Sequence, residues 1–245
     1  KNKITYLPDE KKTTVMDGHG GYMNGSRYYG EDLPINTWYM KRFAGLSEDG
    51  LSLWYYTDKE TNEEKTTTTY STGDFYLCGD PNPDLYGGFG TSITFHGFDL
   101  STQFSYLVGG LTYDYGYAGM MGNPTATSVG NRWHKDVLKA WSPENPSSTI
   151  PRWYFNDLNT TGSSDRFLID GSYLNLQNIQ VGYTLPDSWT SHLKIKNLRL
   201  YFVCDNVYYW SKRKGLDPRR SISGVGTSGK IAPFRTYSGG ISLQF

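Results

Sequence analysis

The sequence has no long hydrophobic run, no net charge and very few cysteines. No stretch approaches the ~20 apolar residues that a membrane-spanning helix needs. The 24 basic residues are balanced by 24 acidic ones, so no excess charge directs the chain toward nucleic acid. Two cysteines provide neither a disulfide framework nor a zinc ribbon. The mean hydropathy of −0.59 does not exclude membrane strands, because their apolar and polar residues alternate and average out.

The motifs of common enzymes are also missing. The chain contains no HExxH, no GxSxG, no P-loop and no GxGxxG before a helix. Most acidic residues lie in loops without an evident partner, which disfavours a glycosidase. Asp74, Asp80 and Asp84 could bind Ca²⁺ weakly in a loop, although their spacing is not that of an EF-hand. We therefore expect no catalytic residues, no structural metal and no cofactor.

Aromatic residues and glycine are abundant instead. Aromatics make up 16% of the chain, with 21 Tyr and 7 Trp beside 28 Gly. Tyr and Trp favour boundaries that are apolar on one side and wet on the other. This composition is typical of a membrane β-barrel with aromatic girdles. It is equally typical of a soluble β-sandwich that binds carbohydrate.

Residues 85–108 alternate with the period of a β-strand and predict a hairpin. In 85–96 and again in 98–108, alternate positions are mostly apolar and the positions between them are mostly small or polar, with His96 and Gly97 as the turn. Further strands are predicted at 172–185, with a bulge near Gln177, at 197–209 and at 234–245. Residues 35–46 predict a less regular strand, and the opening KITYL predicts the tail of another. We expect the apolar parity to face lipid through Phe89, Ile93, Phe95, Leu100, Phe104, Tyr106, Leu200 and Phe202.

The links between these strands alternate in length. Those at 47–84, 109–171 and 210–233 are long, whereas the links after 96 and 186 are short. Outer-membrane barrels have this asymmetry, with short periplasmic turns and long extracellular loops. One exception is the 8–34 stretch, which alternation places on the periplasmic side although it is long.

One loop helix is predicted over residues 131–141. Asn131 would cap it, and Trp133, Val137, Leu138 and Trp141 would share a face. The simpler interpretation is that these side chains hold the helix on the loop. The residues we nominate for contact with a substrate or a covering partner are Trp133, Trp141, Trp153 and Tyr154.

The chain ends on an aromatic residue within a strand. Tyr237, Ile241, Leu243 and Phe245 share one parity, and this pattern resembles the C-terminal signal by which the outer-membrane assembly machinery recognises barrel proteins. An ordinary edge strand is the alternative interpretation.

Several segments resemble the C-terminal part of SusC/RagA-family TonB-dependent transporters of Bacteroidetes. They are PNPDLYGGFGTSITFHGFDLS (81–101), WSPENPSSTIPR (141–152), DRFLIDGSYLNLQNIQVGYTLP (165–186), LRLYFVCDNVYYW with KGLDP (198–218), FRTYSGGISLQF (234–245) and, more loosely, LPINTWYMKRFAGL (33–46). The resemblance covers most of the chain in the family's order.

The resemblance implies an all-β fold, namely the C-terminal antiparallel strands of a 22-stranded transmembrane barrel with long extracellular loops. It implies TonB-dependent import of oligosaccharide or peptide across the bacterial outer membrane, with a SusD-like lipoprotein as lid. Residues 1–245 would then form the last part of the barrel, because the plug, the TonB box and the earlier strands are missing. The TonB complex would act through that missing N-terminal region. The alternative function is the soluble carbohydrate-binding module.

Overall fold

The computed structural model describes residues 2–128, 130, 132–157, 159, 162–191, 195–220, 223–225 and 233–245. These residues divide into two compact units. Unit 1 comprises Lys1–Asn82, Gly110–Asp170 and Arg220–Gly229, and unit 2 comprises Pro83–Gly109, Gly171–Arg219 and Lys230–Phe245. The strands in chain order are β1 (Thr14–Met16), β2 (His19–Asn24), β3 (Arg27–Gly30), β4 (Thr37–Lys41), β5 (Phe43–Leu46), β6 (Ser52–Thr57), β7 (Glu64–Thr67), β8 (Phe75–Leu77), β9 (Leu85–Phe95), β10 (Phe98–Val108), β11 (Leu111–Tyr113), β12 (Leu168–Asp170), β13 (Tyr173–Thr184), β14 (Asn197–Ser211) and β15 (Thr236–Gln244).

Unit 2 is built on one antiparallel sheet with the strand order β15-β14-β13-β10-β9. The hairpin between β9 and β10 turns at His96 and Gly97, whose φ angles of 46° and 85° match the two positive φ values of a type I′ turn. The register shifts between Leu176 and Asn178, which confirms the bulge predicted near Gln177. The short helix α2 (Asp187–Thr190) lies between β13 and β14. The strands are 9 to 15 residues long, close to the 9–11 residues of a tilted membrane strand.

Unit 1 contains three small sheets and a core rich in aromatic and sulfur-containing side chains. The sheets have the orders β1-β2-β3-β4-β8, β5-β6-β7 and β11-β12. The α-helix α1 (Tyr115–Met120) is capped at its N-terminus by Asp114, whose carboxylate accepts a hydrogen bond from the Tyr117 amide at 3.0 Å. The core cluster consists of Trp38, Met40, Tyr113, Met121 and Phe167.

The prediction of one continuous barrel strand over residues 35–46 is wrong. This segment breaks at Arg42 into β4 and β5, which belong to two different sheets of unit 1. All five β4 residues are buried, so this strand has no exposed polar face of the kind that the barrel pattern requires. The predicted strand at KITYL is also absent, although Ile4 exchanges backbone hydrogen bonds with residues 32 and 33.

These corrections remove the anomaly of a long periplasmic link at 8–34. Residues 1–82 all precede β9, which they enter at Leu85, opposite Val108. The chain leaves the sheet after Val108 and returns to it at Tyr173, opposite Leu107, so residues 109–172 are a long connection that begins and ends at one end of the sheet.

The helix predicted over residues 131–141 is replaced by a 3-10 helix at Lys135–Lys139. The proposed cap Asn131 lies outside the described residues. His134 takes the capping role, because its Nδ1 accepts the Asp136 amide at 3.2 Å. Leu138 is 89% exposed and does not pack on the loop. Among the described residues, no helix has the length and apolar character needed to cross a membrane.

Candidate functional site

The sheet of unit 2 carries one continuous apolar face. Strand pairing places Phe89 opposite Phe104, and Phe104 opposite Leu176. The Phe89 and Phe104 rings stack at 4.8 Å with only 10° between their planes. All eight residues predicted to face lipid share this face, because directly paired residues of antiparallel strands point to the same side. Their contact with lipid itself stays a prediction.

The apolar face is largely uncovered. Phe89 is 55% exposed, Phe95 70% and Ile241 64%. A water-soluble sheet normally buries such a face against another layer. This sheet therefore exposes a broad apolar surface that needs a nonaqueous neighbour or a partner.

The opposite face is polar and carries an ion pair that spans three strands. Arg199 on β14 donates from Nε and Nη2 to the Asp99 carboxylate on β10, at 2.8 and 2.6 Å. Strand β13 lies between them, and a Cβ built at its Gly182 would lie 2.4 Å from both partners. Glycine at 182 thus leaves the space through which the two side chains meet.

Further polar contacts extend along this face toward the end of the sheet at which the long links 109–172 and 212–235 begin, the long-link end. Asn178 donates to Asp205 at 2.7 Å across β13 and β14. Nearer the end, Arg219 donates to the Asn175 side-chain oxygen at 2.7 Å and is held by Asp217 at 2.8 Å. The polar face is therefore hydrogen-bonded across neighbouring strands, as expected of a surface that lines a wet interior.

The four nominated loop aromatics of unit 1 have different surroundings. Trp133 and Trp153 donate their Nε1–H to the same acceptor, the Gly122 carbonyl, at 3.1 and 3.2 Å. Their rings meet edge to face at 5.5 Å. Both orientations are thus fixed, and Trp153 still exposes 40% of its surface.

Trp141 and Tyr154 differ most in exposure, because the first is packed on backbone and the second is largely exposed. Trp141 packs on the Gly50 backbone, where an added Cβ would lie 2.3 Å from the indole. Tyr154 is 64% exposed, and the Arg152 guanidinium lies 5.3 Å from its ring centre. Trp141 therefore packs against the loop backbone, and Trp153 and Tyr154 are more exposed. Contact of any of the four nominated aromatics with cargo or partner stays a prediction.

The acidic residues nominated for calcium have local partners. Asp74 accepts the Thr57 amide at 2.6 Å, and Asp80 accepts the amide of Asn82 at 2.9 Å. The Asp84 carboxylate lies against the Gly109 backbone. Within the described ranges, no group of three His, Cys, Asp or Glu side chains could hold a metal ion.

Unit 1 buries a lysine that the sequence patterns did not single out. Lys41 is 5% exposed and donates to the carbonyls of Tyr70 and Gly73, each at 2.6 Å. Burial lowers the pKa of its amine. Carbonyl acceptors and the Tyr70 ring at 4.6 Å compensate the charge, so Lys41 ties β4 to the segment before β8.

The polar-face network was also missed at the level of sequence. Alternation places Asp99 and Arg199 on the polar side, but their pairing follows only from the register of three strands. The one available sequence signal was Gly182, a glycine inside a strand, which often marks a close approach of other groups.

The C-terminal residues lie on the edge strand β15. Tyr237, Ile241 and Leu243 share the apolar face through their pairs Cys204, Leu200 and Leu198. Phe245 follows the end of β15 and is 74% exposed. Their role as an assembly signal stays a prediction.

Comparisons with known proteins identify relatives among outer-membrane receptors. TonB-dependent receptor P3 of Formosa agariphila is 28% identical over 275 residues, covering all of this chain and 26% of the relative. TonB-dependent receptor SusC of Bacteroides thetaiotaomicron is 27% identical over 180 residues, covering 72% of this chain and 17% of the relative. No family model matches the chain. The chain thus spans at most about a quarter of the length of these relatives.

Solved structures give the same result for the fold. The RagAB peptide transporter matches 91% of this chain with a TM-score of 0.74 and 25% identity, over 24% of its own chain. The RagAB peptide importer in its open-open state matches 99% with a TM-score of 0.73 and 25% identity, over 25% of its own chain.

The fold and its two faces define a segment of a large antiparallel β-barrel. The relatives and structural neighbours confirm the predicted resemblance to SusC/RagA-like TonB-dependent transporters. The total of 22 strands stays a prediction, as does the assignment of residues 1–245 to the last part of the barrel. The relatives are receptors and transporters, which agrees with the expected absence of catalysis.

Proposed function

We propose that this chain supplies barrel wall and extracellular loops to a TonB-dependent importer in the bacterial outer membrane. The observation that carries the proposal is the five-stranded sheet with one uncovered apolar face and one hydrogen-bonded polar face. Lipid would cover the first face and the lumen would hydrate the second. A soluble carbohydrate-binding sandwich explains the aromatics, but it leaves the apolar face without cover.

The sheet also supports an orientation in the membrane. The β9–β10 turn and both ends of the link 185–196 are at one end of the sheet, and the long links 109–172 and 212–235 begin and end at the other. By the usual asymmetry of such barrels, the long-link end faces outside. The chain also enters β9 at that end, at Leu85.

The cargo and the partner follow from the relatives. We infer a cargo of peptide or oligosaccharide, and a SusD-like lipoprotein that closes over the long loops. RagAB, the structural neighbour, is a peptide importer, which supports the peptide alternative. Energy would come from the TonB complex through a region outside this chain. Trp153 and Tyr154 are the residues we assign to contact with cargo or lid.

The test is a pair of arginine substitutions at adjacent positions of β10. Phe104→Arg places a charge on the apolar face near the middle of the strand, where it should cost about 2–4 kcal/mol if lipid lies there. Ser105→Arg places the same charge on the polar face and should be tolerated. The free energy of folding into phospholipid vesicles, measured on the full-length polypeptide, gives the penalty of each substitution.

The pair is its own control, because the two variants share strand, depth and charge. Equal penalties would contradict the assigned faces. Recovery of the wild-type polypeptide from detergent-free soluble fractions would favour the soluble module.

A further inference from the structure

A groove opens where β14 extends beyond its neighbour β15. The last pair between these strands joins Asp205 to Thr236, yet β14 continues to Ser211. The groove has a volume of about 440 Å³. The residues that matter among its lining are Tyr208, Tyr209, Trp210, Lys214, Arg219 and Arg235.

The groove adjoins aromatic side chains of the apolar face. Tyr208 and Trp210 pair with Leu176 and Leu174, which places them on that face. Their rings are 4.8 Å apart at 65°. Both are about half exposed, at 49% and 48%. Tyr and Trp at the end of an apolar strand face are typical of the membrane–water interface.

Two cations at the groove have no acidic partner. Among the described residues, no carboxylate lies within salt-bridge distance of Lys214 or Arg235, and none of the remaining residues is acidic. Arg235 instead donates to the Tyr237 hydroxyl at 3.4 Å. Arg219, the third cation, is already paired with Asp217 at 2.8 Å.

The position of these cations selects the chemistry of the ligand. They line a groove at the long-link end of the strands. Its lining combines Tyr208 and Trp210 of the apolar face with Tyr209 and Arg219, which belong to the polar face. An anion at this depth would be the phosphate of a lipid headgroup, whose acyl chains extend along the apolar face.

We propose that this groove binds the phosphate-bearing headgroup of an outer-leaflet lipid, with Lys214 and Arg235 contacting the phosphate and Trp210 packing at the headgroup boundary. The proposal rests on the proposed function, since it requires the long-link end to lie at the outer leaflet.

The test compares lipid binding by three forms of the full-length polypeptide in phosphatidylcholine nanodiscs. They are the wild type, the double variant Lys214→Gln/Arg235→Gln, and the control Lys212→Gln, which removes a charge from the same turn outside the groove. The probes are a bis-phosphorylated glucosamine lipid, its dephosphorylated form and inorganic phosphate. Native mass spectrometry gives the bound fraction, and quenching of tryptophan fluorescence by brominated acyl chains reports the site.

The double variant should bind the phosphorylated lipid about 30-fold more weakly, from about 1 kcal/mol for each basic residue near the surface. The control should match the wild type, and the dephosphorylated lipid should bind weakly to all three. Lys214→Arg/Arg235→Lys should retain binding, which separates lost charge from misfolding.

Three results would overturn the assignment. They are equal binding of both lipids, equal loss in the control and the double variant, or displacement of the lipid by inorganic phosphate at similar concentration. The last would indicate a free-anion site. Failure of the wild type to insert would instead refute the proposed function, and the groove assignment with it.

Discussion

The ion pair over Gly182 allows a quantitative test of the polar face. Replacing Asp99 by Asn and Arg199 by Gln, singly and together, forms a double-mutant cycle. Gly182→Ala then adds a methyl group in the space that the pair occupies, 2.4 Å from each partner. The three changes perturb one contact from three different strands.

The structure sets the size of the effect. Two hydrogen bonds of 2.8 and 2.6 Å form a bidentate pair. The side chains are 25% and 22% exposed, so the pair lies between the ~0–1 kcal/mol of surface pairs and the larger values of buried ones. We expect a coupling free energy of about 1–2 kcal/mol. Gly182→Ala should cost a similar amount, because its methyl group forces the pair apart.

The assay is guanidinium unfolding of the full-length barrel in phospholipid vesicles, followed by tryptophan fluorescence. The decisive comparison is Gly182→Ala in the wild type and in the doubly neutral Asp99→Asn/Arg199→Gln background. The free-energy cost of Gly182→Ala should be smaller in the neutral background, because its uncharged side chains can move away from the added methyl group. A coupling near zero, or an equal glycine penalty in both backgrounds, would refute the reasoning.

Three further predictions concern unit 1. Lys65 and two backbone amides lower the pKa of Asp58 to about 2, so the stability gained by its ionisation is complete above about pH 4 and is lost as the pH falls toward 2. Protection factors against hydrogen exchange in the β6–β7 hairpin, corrected for the intrinsic exchange rate at each pH, should fall over that window, and an Asp58→Asn variant should show no such fall. Tyr154→Ala should weaken capture of cargo or lid in a pull-down without lowering thermal stability, because its side chain is largely exposed. Trp141→Ala or Gly50→Ala should instead destabilise the fold by about 2–4 kcal/mol, because the first leaves a cavity beside Gly50 and the second places a methyl group against the indole. The unfolding midpoint measures both effects, and unchanged midpoints would contradict the packing of Trp141 on Gly50.

Local pattern was sufficient for the strands of unit 2. The period-two alternation in 85–108 specifies both the hairpin and its apolar face, because a one-residue slip would exchange the faces. The phase change near Gln177 likewise predicts a bulge from spacing alone. Such features depend on neighbours in the chain and can be read without tertiary contacts.

The helix prediction at 131–141 failed because the conformation of this segment depends on contacts with distant residues. Trp133, Val137 and Trp141 have helical spacing, but tertiary contacts override it. Trp133 is held by the Gly122 carbonyl, and Trp141 packs on Gly50. Residues this distant in sequence leave no trace in local periodicity.

The sequence alone therefore determined the class of the protein, an antiparallel barrel segment with long connections at one end and a SusC/RagA-like character. Alternation, turn residues and distinctive segments are all local properties of the chain. The tertiary structure alone decided that residues 35–46 divide between two sheets of unit 1, that Asp99 meets Arg199 above Gly182, and that β14 extends past β15 to open a groove. These features depend on register and on contacts between distant residues, which are fixed only when the strands pair.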